Sequence, residues 1–206
     1  MAEIEELGVF PLEMVMLPGE AVPLHLFEPR YRELFANCVL DGKPLVILLS
    51  SGGSRASVGC TGQIETMLKR LPDGRVNVVL RGMDPVRITD APTIGGPLYE
   101  TAVVEPLTDE SEAAPDDIKQ QARELFSSLA GSEQVPEPPP GIPLSYALAG
   151  IIEMPVEPKQ ELLELRREQA RLERVIELLK GADHASELER EAAARAQRNG
   201  KVNAPS

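Results

Sequence analysis

Apolar and polar positions alternate with a period near two from Leu7 to about Leu107, and with a helical period after Thr108. In the first stretch, Val58, Cys60, Gly62, Ile64, Thr66 and Leu68 share one face of a predicted strand, with Thr61, Gln63, Glu65 and Lys69 on the other. Leu71-Pro72-Asp73-Gly74 then predicts a turn, because proline presets φ, aspartate bonds locally and glycine accepts a positive φ. Val76, Val78 and Leu80 alternate on the return strand and complete a hairpin. Shorter strands are expected at Gly8–Phe10, Val22–Phe27, Leu45–Leu49, Pro85–Thr89 and Tyr99–Glu105. One helix interrupts them, with Glu28 as its cap, Pro29 at its first position and Tyr31, Leu34, Phe35 and Cys38 as its apolar stripe. Short strands, Gly and Pro turns and one early helix predict a small barrel-like β domain over residues 1–107.

The second stretch, residues 108–181, predicts a helical subdomain of three helices, so the fold class is α+β. Ile118, Ala122, Leu125 and Leu129 mark the first helix, with Gly131 as its stop. Five prolines in Val135–Pro143 predict an extended connector. Leu144, Ala147, Leu148 and Ile151 line a second helix that ends near Pro155. Pro158–Lys180 predicts one long third helix, with Leu162, Leu165, Gln169, Leu172, Ile176 and Leu179 at 3-4-3-4-3 spacing and Gly181 as a terminating residue. Residues 182–206 predict a marginal Ala-rich helix opened by a Ser186–Glu189 capping box, then a disordered end from about Gly200.

Composition narrows the function classes. The 206 residues carry 33 acids against 21 bases, a formal charge of −12, which disfavours nonspecific contact with nucleic acid or anionic membrane. The longest wholly apolar run, Leu45–Leu49, is far short of the roughly 20 residues of a membrane span. Met1–Glu6 is acidic and lacks the apolar core of a signal peptide, and two cysteines make no disulfide framework, so a cytoplasmic protein is expected.

Candidate chemistry is thin. None of the six lysines precedes Ser or Thr, so no phosphate-cradling loop of that type is present. Cys38 and Cys60 with one ordered histidine, His25, give no zinc pattern, and no metal or cofactor is expected. A Cys38–His25 nucleophile pair is conceivable, but Cys38 lies on the buried stripe and reads more plainly as a structural thiol. Lys69, Arg70 and Arg75 read as a solvated turn. No catalytic residue is assigned. A softer signal is Leu12-Glu13-Met14-Val15-Met16-Leu17, whose flexible methionines suit a varied peptide guest or, alternatively, alternate into the core.

Val9-Phe10-Pro11-Leu12, followed by Leu17-Pro18-Gly19-Glu20-Ala21-Val22-Pro23-Leu24-His25-Leu26-Phe27-Glu28-Pro29-Arg30-Tyr31, resembles the N-terminal substrate-binding domain of Lon proteases, above all its stand-alone bacterial versions. Val58–Gly62, Arg70–Arg75, Leu80-Arg81-Gly82, Arg87-Ile88 and Lys159-Gln160-Glu161-Leu162-Leu163-Glu164 extend the resemblance over about Leu7–Leu179. It implies a PUA-like β pseudo-barrel followed by helices, and a role in recognising unfolded or damaged polypeptides or contacting another protein. The ATPase and Ser–Lys protease segments of Lon have no counterpart here, so no enzymatic activity is expected. A peptide-binding lining of Met14, Met16, Leu17, Leu26, Phe27 and Tyr31 is expected, by strand pairing or an apolar groove. Two other readings are an enzyme or small-molecule site near His25 and Cys38, and an RNA-binding PUA-like protein, which the acidic charge and scarce aromatics disfavour.

Overall fold

The computed structural model describes residues 5–199 except 91, 93–95, 111, 131–134 and 136, with side chains through residue 183. Its described strands are β1 (Glu5–Leu12), β2 (Ala21–Leu26), β3 (Leu45–Ser51), β4 (Ser54–Arg55), β5 (Val58–Arg70), β6 (Val76–Ile88) and β7 (Glu100–Pro106). The order β1-β7-β6-β5-β3 closes because β3 also pairs with β1, in parallel, through Val9–Val46 and Leu12–Leu49. The expected barrel is therefore present, as a closed ring of five strands. Among the described residues β2 pairs only with β6, and the two-residue β4, which the alternation does not announce, pairs with β3.

The lumen is filled by small side chains. Leu7 and Val9 of β1, Val46 and Leu48 of β3, Val86 of β6, and Ala102 and Val104 of β7 are all buried there. β5 contributes Gly59, where a Cβ would sit 2.6 Å from the Ile47 carbonyl oxygen and 2.8 Å from Val46 Cγ1. A barrel of about eight strands is just wide enough for side chains to fill or for one small ligand, so this narrower ring, already filled by these residues, has no room for a guest.

Beyond the barrel, β5 and β6 continue as a two-stranded arm that β2 joins on the β6 side. The predicted hairpin turn forms: Gly74 has φ 85°, its N–H reaches Leu71 O at 3.0 Å, and Asp73 Oδ1 accepts from Arg75 N at 3.1 Å. The alternation predicted along β5 holds only to Ile64. Bulges at Ile64/Thr66 and Met67/Lys69 interrupt the register, and Leu68 is exposed rather than in line with Val58 and Cys60.

The helices are α1 (Pro29–Asp41), α2 (Asp116–Ala130), α3 (Leu144–Ala149), α4 (Val156–Glu164) and α5 (Glu168–Asn199). In α1 the stripe Tyr31, Leu34, Phe35 and Cys38 is buried as expected, against Phe10, Leu26, Val78 and Leu80 of the strands. Glu28 occupies the cap position, but its carboxylate pairs with Arg30 and makes no capping bond. In α2 the buried residues are Ala122 and Phe126, with Ile118, Leu125 and Leu129 packed at the margin. Gly131, its predicted stop, lies outside the described residues. α3 ends at Gly150, leaving Ile151 exposed.

The single third helix is a correction. It divides into α4 and α5, because Leu165 adopts an extended conformation (ψ 134°) and residues 165–167 bond to distant groups instead. The Arg166 carbonyl accepts from Glu110 N at 2.9 Å, the Leu165 carbonyl accepts from Arg171 Nη1 at 2.9 Å, and the Arg166 guanidinium donates to Leu107 O. Gly181 also ends nothing; it lies within α5, which runs without interruption to Asn199.

Strands and helices share one apolar cluster, from Phe10 and Cys60 to Leu162 and Leu172. Two polar locks reinforce it. Lys159 of α4 pairs with Glu20 at 2.6 Å, while Gln160 donates to the Val58 carbonyl at 3.0 Å. Arg171 of α5, fully buried, donates to both Asp109 oxygens, to Glu168 Oε2 and Ser145 Oγ at 3.0 Å each, and stacks 4.4 Å over Tyr146. Burial pulls its pKa down, but hydrogen bonding and charge attraction to Asp109 outweigh that, leaving it raised.

Candidate functional site

The residues expected to line a peptide surface do not gather on one. The chain after β1 turns at Pro18-Gly19, where Gly19 has φ 81°, as a proline–glycine pair in a type II turn requires. Gly19 N donates to Gly82 O and Gly82 N to Glu20 O, both at 2.9 Å, so the turn is strapped onto β6. Met16 and Leu17 are consequently pressed into the core at 1% and 0% exposure. Gly62 and Gly82 make the room: a Cβ at Gly62 would meet Met16 Cε at 2.8 Å, and one at Gly82 would overlap the Leu17 carbonyl. Leu26 and Tyr31 are core residues too, the latter tilted against Phe10 at 4.1 Å. Met14 is partly buried at the core margin. Phe27 alone of the six stands out in solvent, 60% exposed, with its ring 6.1 Å from His25.

Other apolar side chains on the same arm are also exposed. Met67 (49%) and Leu68 (59%) lie on the stretch of β5 that pairs with β6 alone. The register sets Leu24, Val78 and Met67 in one row across the arm, His25, Asn77 and Lys69 in the next, and Leu26, Val76 and Arg70 in the one after, with Phe27 one residue beyond. Both arm edges are guarded against strand addition: β2 has Pro23, without an N–H, and β5 has its bulges with Lys69 and Arg70. What the arm offers a guest is side chains more than backbone.

A second concavity lies where the barrel meets the helices. It encloses about 430 Å³ and is reached by Met83, Asp84, Thr108, Asp109, Ile142 and Tyr146, while Leu7, Val86 and Val104 wall it off from the lumen. Burial pushes the Tyr146 phenol up to about 12, with the Arg171 charge pulling the other way. No sequence signal marks this cleft, because its residues come from β1, β5, β6, β7, α3, the loops before α2 and α3, and the turns at Pro18 and Pro44.

The nucleophile pair suggested by sequence is not assembled. His25 is on the exposed face of β2, with Nδ1 2.5 Å from Asn77 Oδ1. Cys38 is buried on α1, where burial pushes its thiol up to about 11, far from the thiolate a nucleophile needs. Cys60 is fully buried on β5 and shifted further in the same direction by the same cause. Among the described residues, no three His, Cys, Asp or Glu side chains converge as a metal site, and no helix is long and apolar enough to cross a membrane.

The family described as ATP-dependent protease La (LON) substrate-binding domain matches residues 6–181. The chain belongs to the Lon substrate-binding domain family. The fold agrees with solved members. The Lon N-terminal domain protein from Xanthomonas campestris is 23% identical with a TM-score of 0.68, the match covering 84% of this chain and 97% of that one. The N-terminal domain of Mycobacterium avium complex Lon protease is 20% identical with a TM-score of 0.64, covering 85% and 98%. Curated proteins gave no match. The Lon-like sequence motifs acquire physical roles here: Glu20 and Lys159, far apart in the chain, form the ion pair joining the Pro18-Gly19 turn to α4.

Proposed function

We propose that this Lon substrate-binding domain is a non-enzymatic polypeptide-binding module that holds apolar segments of unfolded or damaged proteins on its β2–β6–β5 arm. The observation carrying this reading is the exposure of Phe27, Met67 and Leu68 on an arm whose edges are closed to strand addition, beside a barrel with no internal space. In this reading residues 1–107 carry the guest surface and residues 108–181 brace it. Of the six lining residues expected, Phe27 makes the principal contact and Met14 a marginal one, with Met16, Leu17, Leu26 and Tyr31 supporting from beneath. The work is done in the cytoplasm, on proteins and not nucleic acid, consistent with the net charge of −12.

Covering the exposed part of Phe27 contributes about 1–2 kcal/mol, scaled from full burial of such a side chain. Titration with reduced, carboxyamidomethylated lysozyme, a permanently unfolded protein, is expected to show saturable binding, to which Phe27 contributes roughly a five- to thirty-fold share. The Phe27→Ser, Leu68→Ser double variant should weaken it at least five-fold while the unfolding midpoint stays put. Absence of saturation at high micromolar concentration, or equal binding by the variant, overturns the proposal.

A further inference from the structure

We infer that the cleft between the barrel end and the helices is a second, separate binding site, which takes a polypeptide segment carrying lysine or arginine beside apolar residues. Its chemistry has two parts. The lining is rich in rigid apolar surface, with five prolines (Pro18, Pro44, Pro85, Pro106 and Pro143) among its residues. Among the described residues it also includes three carboxylates, Glu5, Asp84 and Asp109, and no lysine, arginine or histidine.

These carboxylates are not equivalent. Glu5 has Lys43 at 3.2 Å, and Asp109 is held by Arg166 and Arg171. Asp84 bonds through its backbone, accepting from Thr61 Oγ1 at 3.1 Å and donating to it at 3.0 Å, while its carboxylate has no ionic partner among the described residues. Thr61 thus fixes the main chain that presents a free negative charge at an apolar cleft. Nearby Tyr146 adds a buried hydroxyl with no hydrogen-bond partner among the described residues.

An unpaired carboxylate over apolar walls favours a cation attached to an apolar body. A polyamine would supply the charge but no branched carbon to meet the prolines, Leu107 and Ile142. A peptide segment supplies both, and about 430 Å³ accommodates one or two of its side chains. Basic residues flanking apolar runs also discourage self-association of an unfolded chain. The cleft would read the flank while the arm holds the run.

The test uses the full chain and two fluorescent end-blocked heptapeptides, each with three leucines and a central proline. One carries three lysines and the other three glutamates; spermine is a third probe. The lysine peptide should bind, weaken as salt rises, and resist competition by spermine, while the glutamate peptide should bind more weakly, through its leucines on the arm alone. Asp84→Asn should weaken the lysine peptide roughly two- to five-fold, the range for an exposed ion pair. Asp84→Lys should abolish the preference for lysine over glutamate, in the parent chain and in the Phe27→Ser background alike. Equal binding of both peptides, indifference to Asp84→Lys, or full displacement by spermine overturns the inference. Loss of the preference for lysine in Phe27→Ser, with Asp84 intact, also overturns it, by placing the contact on the arm.

Discussion

Replacing Arg171 by methionine tests how the helices are held. The guanidinium is fully buried and serves Asp109, Glu168, Ser145 and the Leu165 carbonyl, so methionine fills the volume but leaves these acceptors without their donor. Removing one partner of a buried ion pair costs about 3–5 kcal/mol. The Asp109 side chain is one-third exposed and keeps Arg166, which places the loss near the lower end, about 3 kcal/mol. With a urea m-value of roughly 2–3 kcal/mol per molar for a chain of this size, the midpoint should fall by about 1–1.5 M, followed by circular dichroism. Arg171→Lys, which restores charge without the planar fork, should fall between the two. A shift below about 0.3 M for methionine, or a lysine variant indistinguishable from the parent, would refute the argument that this network holds α5 to the loop before α2.

Three other outcomes follow from the geometry. Gly82→Ala should cost about 1–3 kcal/mol in the same urea assay, since the new methyl meets the Leu17 carbonyl and not a pliable side chain. Glu20→Ala should cost about 1–3 kcal/mol, because it strips both Lys159 and the Leu17 N–H of their acceptor; a double-mutant cycle with Lys159→Ala should show coupling above about 0.5 kcal/mol. The Cys38 thiol, raised by burial from 9.0 to about 11, keeps its proton longer when folded than when unfolded. Its contribution, on the order of 2 kcal/mol, is therefore complete below pH about 9 and is lost as pH rises to about 11. Urea midpoints taken across that range should decline, and Cys38→Ala should remove that portion of the decline.

Local chemistry was legible in the chain and distant partnership was not. The hairpin turn at Leu71–Gly74 and the buried stripe of α1 were readable because residues a few positions apart determine them. The break at residues 165–167 was not, since Leu162, Leu165, Gln169 and Leu172 keep helical spacing across it, while the bonds that open it come from Leu107, Glu110 and Arg171. The apolar face of β5 was misread past Ile64 because bulges change the period without a distinctive residue type. As for the site, Phe27 was within reach of sequence reasoning, but the burial of Met16 and Leu17 depends on two glycines in other strands. The cleft around Asp84 depends on seven separate segments and left no local trace.

The closed ring has a consequence for how the chain is made. Residues 5–9 complete their hydrogen bonding only when residues 100–104 arrive beside them. At a synthesis rate of roughly 5–20 residues per second, the first strand waits about 5–20 seconds on the ribosome with one edge bare. A slow stretch of messenger before the seventh strand would prolong that interval, so the coding sequence between the hairpin and residue 100 is where a codon change could turn a stable domain into an aggregate without altering any amino acid.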